Sequence, residues 1–116
     1  MPRRFSFAKE RRLLNPAEFR QVYDQGIKVP CACFVAFCWK SPSDDGPKVG
    51  FTTPRALGKA TLRNRMKRRL RETIRISLDE LDANWRIVWN LRRAALTVSA
   101  AQMESEVKKV FLKCKD

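Results

Sequence analysis

Between Lys59 and Leu81 apolar residues recur with a helical period, and that stretch leaves a chain like this few architectures. At about 100° per residue, Leu62, Met66, Leu70, Thr73, Ile74, Ser77 and Leu81 fall in one sector. Arg63, Asn64, Lys67, Arg68, Arg71 and Arg75 fall in a neighbouring, partly overlapping one, and Arg65 and Arg69 sit near the other border of the apolar stripe. The spacing predicts an amphipathic helix that docks on a sheet and keeps its basic side outward. Its first part, KATLRNRMKRRLRETIR from Lys59 to Arg75, holds eight Lys or Arg and one acid, Glu72. A disordered tail would lack the apolar stripe. A merely solvated helix would gain from mixed signs at i,i+4. Here Arg63, Lys67, Arg71 and Arg75 stack like charges, each pair destabilising by roughly 0.2–0.5 kcal/mol. An external polyanion would offset that repulsion. Six Arg against two Lys favour phosphate, which the guanidinium fork matches, and bases, on which it stacks. Asn64 both accepts and donates, which suits a sugar hydroxyl, a base edge or a metal-bound water.

The rest of the chain sets the bounds. A length of 116 residues with 44% hydrophobic content suits one domain with one core, here a single RNA-binding domain over 1–116, with 1–12 read as a flexible basic N-terminal segment. The 25 basic and 12 acidic residues leave a net charge of +13, which predicts attraction to nucleic acid first and to an anionic membrane surface second. No apolar run approaches the roughly 20 residues of a membrane span. The N-terminal MPRRFSFAKERRLL lacks an uninterrupted apolar segment of the secretory kind. Cys31, Cys33, Cys38 and Cys114 come with no His anywhere, and CAC lacks the spacer of a zinc ribbon. They read as free thiols in a reducing cytoplasm, so the expected location is cytoplasmic.

Local signals place the elements. Asn15 as N-cap, Pro16 at N1 and Glu18 at N3 form a capping box, Leu14 is placed to staple against Phe19, and Gly26 is a stop. Phe19, Val22 and Tyr23 then share one helical face, which reads first as core packing. The run CACFVAFCW (Cys31–Trp39) reads as a strand, SPSDDGP as a loop and Lys48–Thr53 as a second strand, with the two expected to form an antiparallel hairpin with a long loop. Ile27–Val29 is a candidate short extra strand. WRIVWNL (Trp85–Leu91) alternates Trp85, Ile87, Trp89 and Leu91 against Arg86, Val88 and Asn90. Ser99 and Gln102 make a second capping box ahead of a helix whose stripe is Met103, Val107, Val110 and Phe111, with Lys108, Lys109, Lys113 and Lys115 alongside. The order is α-β-β-α-β-α plus the extra strand, an α+β sandwich of one sheet with helices against it.

GKATLRNRMKRRLRE (Gly58–Glu72), with its R-N-R-x-K-R core at Arg63–Arg68, resembles the signature of the bacterial ribonuclease P protein family. RLLNPAEFRQVYDQG is similar to that family's first helix, KVGFTT to the strand before the signature, and WRIVWNLRRAA to the strand after it. The resemblance implies a single-domain α-β-β-β-α-β-α sandwich whose left-handed β-α-β crossover presents the basic helix. It implies a protein subunit that binds a catalytic RNA, holds the 5′ leader of precursor tRNA in a cleft between the first helix and the sheet, and assists Mg2+ binding. The RNA carries the chemistry that removes the leader. Carried over by position, Arg55, Lys59, Arg63, Asn64, Arg65, Lys67, Arg68 and Arg71 face RNA, and Phe19, Tyr23 and Phe37 line the leader cleft. Where the family often has two basic residues before the signature, this chain has Pro54 and Arg55, which leaves one positive charge and removes an N–H.

The residues themselves fit a non-catalytic role. No His is present for acid–base work, and the acids at Asp44–Asp45 and Asp79–Glu80–Asp82 form no set that would seat two metals. A ribosomal or RNA-chaperone protein without a linked reaction is the main rival. A stand-alone nuclease lacks the acid–base groups. A DNA-binding regulator could send the long helix into a major groove, but no dimer element is visible, so neither DNA nor a membrane is an expected partner.

Overall fold

A computed structural model describes residues 11–13 and 15–114. The elements run α1 (Pro16–Gln25), β1 (Ile27–Pro30), β2 (Phe34–Lys40), β3 (Lys48–Thr52), α2 (Ala60–Ser77), β4 (Trp85–Leu91) and α3 (Ala100–Lys113), with short 3-10 turns at Arg55–Leu57, Leu78–Glu80 and Arg93–Leu96. The α-β-β-β-α-β-α order holds, and the short extra strand exists. The four strands form one sheet in the order β1-β2-β4-β3.

That order overturns the hairpin expected of β2 and β3. β4 lies between them, antiparallel to β2 and parallel to β3. The hairpin is instead β1–β2, with Val29 opposite Ala36. The β1–β2 pairing has a local cause. Cys31 to Cys33 make the turn, with the Cys31 N–H donating to the Phe34 carbonyl at 2.8 Å, so the strand begins at Phe34 and not at Cys31. β3 and β4 are then joined through α2 as a parallel β-α-β crossover.

The alternation in β4 sorts the two sheet faces. Trp85, Ile87, Trp89 and Leu91 turn to the α2 and α3 side with Phe34, Ala36, Cys38 and Val49, and Met66, Leu70, Ile74, Met103, Val107, Val110 and Phe111 close over them. Trp89 meets Phe34 edge-on at 4.9 Å and Phe111 at 6.3 Å between centroids. Val88 on the other face is covered by Leu13 and Val22, with Phe19, Phe37 and Trp39 packed around them. All four cysteines are free and buried in the core.

The caps confirm one box and correct the other. The Asn15 side chain accepts from the Glu18 N–H at 3.0 Å, and the Glu18 carboxylate accepts from the Asn15 N–H at 3.1 Å. At α3, Ser99 Oγ accepts from the Gln102 N–H, but the Gln102 side chain donates forward to Glu106, one turn on, and does not return to Ser99. Glu106 also accepts from the Cys33 N–H at 2.9 Å, tying α3 to the β1–β2 turn. Burial pushes the Glu106 carboxyl up, but the Cys33 and Ala32 backbone and the Gln102 amide outweigh it and hold the group below the ordinary glutamate range. Desolvation and the neighbouring Glu106 carboxylate push the Cys33 thiol up to about 12. The basic helix ends at Ser77, short of Leu81, in the 3-10 turn.

Leu14, Lys115 and residues 1–10 lie outside the described residues, and with them the Leu14–Phe19 staple and most of the N-terminal segment expected to be flexible. The end of that segment is tied down. Arg11 donates to the Gly46 carbonyl at 3.2 Å, Arg12 bridges in parallel to Val49, and the Leu13 N–H donates to the Val49 carbonyl at 2.9 Å, so residues 11–13 flank the open edge of β3.

Candidate nucleic-acid interface

Two surfaces meet near the end of β3. The first is α2. Gly58, at φ 130°, turns the chain into it, a conformation that side-chain-bearing residues rarely adopt. Burial of Met66, Leu70 and Ile74 at i,i+4 spacing fixes which side faces the core. Arg69 sets the rotation from the flank, donating through one guanidinium nitrogen to the Ala95 carbonyl and through the other to Val98. It is a fastening for the turn after β4, which explains a basic residue at the border of the apolar stripe.

The residues expected to face RNA are dispersed along the outer side. Arg55, Lys59, Asn64, Arg65 and Arg68 are exposed, while Arg63, Lys67 and Arg71 are half-buried. Arg63 donates to the Gly58 carbonyl at 3.2 Å. Arg71 lies 5.9 Å from the centre of the Phe51 ring, within cation–π range. Among the described residues, the side chains of Asn64, Arg65, Lys67 and Arg68 make no hydrogen bond or ion pair and keep their full donor capacity. Pro54 precedes the 3-10 turn that carries Arg55, and the Leu57 N–H donates back to its carbonyl.

The second surface is the sheet face under α1. Gly50 lets the helix sit close, since a Cβ there would stand 2.5 Å from the Phe19 ring. Tyr23 and Phe37 meet edge-on at 4.8 Å. Phe19 and Tyr23 line an open groove of about 560 Å3 with Asn15, Pro16, Arg20 and Thr52. The three aromatics predicted for a cleft are therefore brought together, with Phe37 supporting Tyr23 from β2. Tyr23 is both packed and presented, at 37% exposure. The groove opens beside Thr52, and Arg71 of α2 reaches its chain neighbour Phe51, so the end of β3 lies between the two surfaces.

Sequence reasoning missed Asn90, Thr52 and Arg20. The Tyr23 hydroxyl donates to Asn90 Oδ1 at 2.7 Å, and the Thr52 hydroxyl donates to the same oxygen at 2.5 Å. Asn90 was detectable as the polar residue in an otherwise apolar half of WRIVWNL. Arg20 was detectable as the helical neighbour of Pro16 and Tyr23.

On the other side of α1 a smaller cavity of about 280 Å3 is bounded by Gln21, Trp39, Ser41, Asp45, Lys48 and Arg86 among others. Buried Arg86 is held there by the Asp45 carboxylate and the Ala83 and Trp85 carbonyls, and Lys48 reaches Asp45 at 3.4 Å. Some desolvation pushes Asp45 up, but a hydrogen bond from its own backbone and the charges of Arg86 and Lys48 hold its carboxyl below the usual range. Among the described residues no three His, Cys, Asp or Glu side chains converge to hold a metal ion, and no helix is long and apolar enough to cross a membrane. The interface offers cations, stacking faces and hydrogen-bond donors.

The family model of ribonuclease P matches residues 7–115. The chain is 36% identical over 109 residues to a ribonuclease P protein component of Desulfosudis oleivorans, covering 94% of this chain and 89% of that protein. It is also 36% identical over 103 residues to one of Symbiobacterium thermophilum, covering 89% and 90%. Among solved structures, a Staphylococcus aureus RNase P protein mutant with defective mRNA degradation activity superposes with a TM-score of 0.81 at 26% identity, covering 92% of this chain and 90% of that one. The RNase P protein from Thermotoga maritima shares the fold, with a TM-score of 0.77 at 23% identity over 90% and 98%.

Proposed function

Because the chain belongs to the ribonuclease P protein family, we propose that it works as the non-catalytic partner of a catalytic RNA that removes the 5′ leader from precursor tRNA in the cytoplasm. The observation that carries this reading is the pairing of two unlike surfaces at one end of the sheet. A basic helix has four polar or basic side chains uncommitted within the fold, and near it opens a groove lined by Phe19 and Tyr23. Arg55, Lys59, Arg63, Asn64, Arg65, Lys67, Arg68 and Arg71 contact the RNA subunit, mostly through phosphates. Arg69 is left out because its guanidinium is spent on Ala95 and Val98.

Phe19, Tyr23 and Phe37 form the leader site. An unpaired leader offers splayed bases that stack on such rings, at roughly 1–3 kcal/mol each. A folded tRNA body offers few. Proton transfer and hydrolysis belong to the RNA, since the chain has no His and its interface is made of cations, amides and rings. Mg2+ is held chiefly by RNA phosphates. The protein assists by neutralising neighbouring phosphates, which lets the RNA fold and bind its ions at lower magnesium.

The test is reconstitution. The chain is mixed with the catalytic RNA of its own source and a precursor tRNA at low magnesium. Leader removal that needs both components supports the reading. Cleavage by the protein alone, or no stimulation of the RNA at any magnesium concentration, overturns it.

A further inference from the structure

Asn90, opposite Val35 on β2 and Thr52 on β3, is hydrogen-bonded to two of the residues that line the groove, Tyr23 and Thr52. Its side-chain oxygen receives two hydroxyls, from Tyr23 at 2.7 Å and Thr52 at 2.5 Å. Both distances suit O–H···O bonds, and the Thr52 contact is shorter than the usual N–H···O range of about 2.7–3.2 Å. The oxygen is thus the atom that faces the hydroxyls. Two donors fill both lone pairs of that oxygen. The amide nitrogen makes no hydrogen bond among the described residues, and it is not sealed from solvent.

We propose that Asn90 reads the leader base held beside Tyr23, as a donor-only amide that selects a keto base (uracil or guanine) over an amino base (cytosine or adenine). An unconstrained Asn pairs its oxygen and nitrogen together with adenine N6 and N7. Here the oxygen is already taken, so only N–H groups remain to meet a base edge. Uracil O4 and guanine O6 accept from them, whereas cytosine N4 and adenine N6 oppose donor to donor. The Tyr23–Asn90 bond also fixes the phenol, so that ring and reader hold a constant relation. This selectivity rests on the leader-groove reading above.

The experiment uses the holoenzyme assembled from the full chain and its catalytic RNA. Dissociation constants are measured for mature tRNA and for two precursors that differ only in having an all-uridine or an all-cytidine leader. Both are pyrimidines, so ring size is matched. The wild-type holoenzyme is expected to bind the uridine leader about 3- to 10-fold more tightly, the worth of one net hydrogen bond. Asn90→Asp keeps an acceptor for both hydroxyls and replaces the donors with a second acceptor, so its preference should reverse toward cytidine. Any general repulsion from the added charge cancels in that ratio. Equal affinity of the two leaders in the wild type, or an unchanged ratio in Asn90→Asp, overturns the assignment. If both precursors still bind better than mature tRNA, the groove survives and only the reader is lost. If neither does, the groove itself is wrong.

Discussion

The two faces of the sheet are built from alternate residues of the same strands and end in opposite states. Toward α2 and α3, Phe34, Ala36, Ile87 and Trp89 have no exposed surface. Toward α1, Phe37, Trp39, Thr52 and Asn90 stay half-exposed under a helix of ten residues. One face carries the stability, and this releases the other to remain open, aromatic and partly polar. Variants on the two faces should therefore separate stability from binding.

The largest effect is expected from Trp89→Ala, which empties the centre of the closed face and should cost about 3–5 kcal/mol by chemical denaturation. Leu70→Ala, beneath the basic helix, should cost roughly 2–5 kcal/mol. Trp89→Phe sharpens the point. The Trp89 indole N–H is sealed and has no hydrogen-bond partner among the described residues. Phenylalanine removes that orphaned donor along with some volume, so its cost should be distinctly below that of Trp89→Ala.

Next in size is the basic surface. With about five phosphates neutralised, the slope of log K against log salt for RNA assembly should be on the order of −4, a few-hundred-fold loss between about 50 and 200 mM. A nearly flat response would remove the electrostatic argument. Arg63→Ala and Lys67→Ala should each weaken assembly while moving the melting temperature little, because neither side chain enters the core. An early melt matching Leu70→Ala would mean that the helix faces are misplaced.

On the open face, Tyr23→Ala should reduce the preference for precursor over mature tRNA by about 5- to 100-fold, from the stacking range. It should change assembly with the RNA subunit much less. Equal losses for both tRNAs would leave Tyr23 a packing residue only.

The smallest effect concerns the tie between α3 and the β1–β2 turn. The Glu106 carboxyl is held below its unfolded value, so its contribution is present above the ordinary glutamate range and is lost as pH falls through the folded value. Glu106→Gln should flatten that part of the acid-denaturation curve. An unchanged curve would mean that the carboxylate's charge adds nothing to the tie.

Local chemistry explains what the sequence revealed. The Asn15–Glu18 box, the alternation of Trp85–Leu91 and the stripe of Met66, Leu70 and Ile74 each depend on residues a few positions apart, and each stands in the structure. The position of β4 does not. Which strand pairs with β2 is settled by partners about fifty residues away, and nothing in SPSDDGP forbids a hairpin. Arg69 and Asn90 were obscured for the same reason. Their roles come from Ala95, Val98, Tyr23 and Thr52, which lie close only after folding. The outward basic side of α2 was legible because the helical period alone assigns its faces.

The insertion of β4 between β2 and β3 also bears on how the chain is made. A ribosome emits β1, β2, β3 and the whole of α2 before the central strand appears. Until Trp85–Leu91 arrives, β3 has only the Arg11–Leu13 stretch to bond with, and α2 has no finished sheet on which to lay Met66, Leu70 and Ile74. A strongly cationic amphipathic segment thus leaves the exit tunnel with its apolar side uncovered. Sheet closure waits for the last third of the sequence. Fragments ending before Trp85 should not fold, and the nascent chain should depend on RNA or chaperones to mask that segment during synthesis.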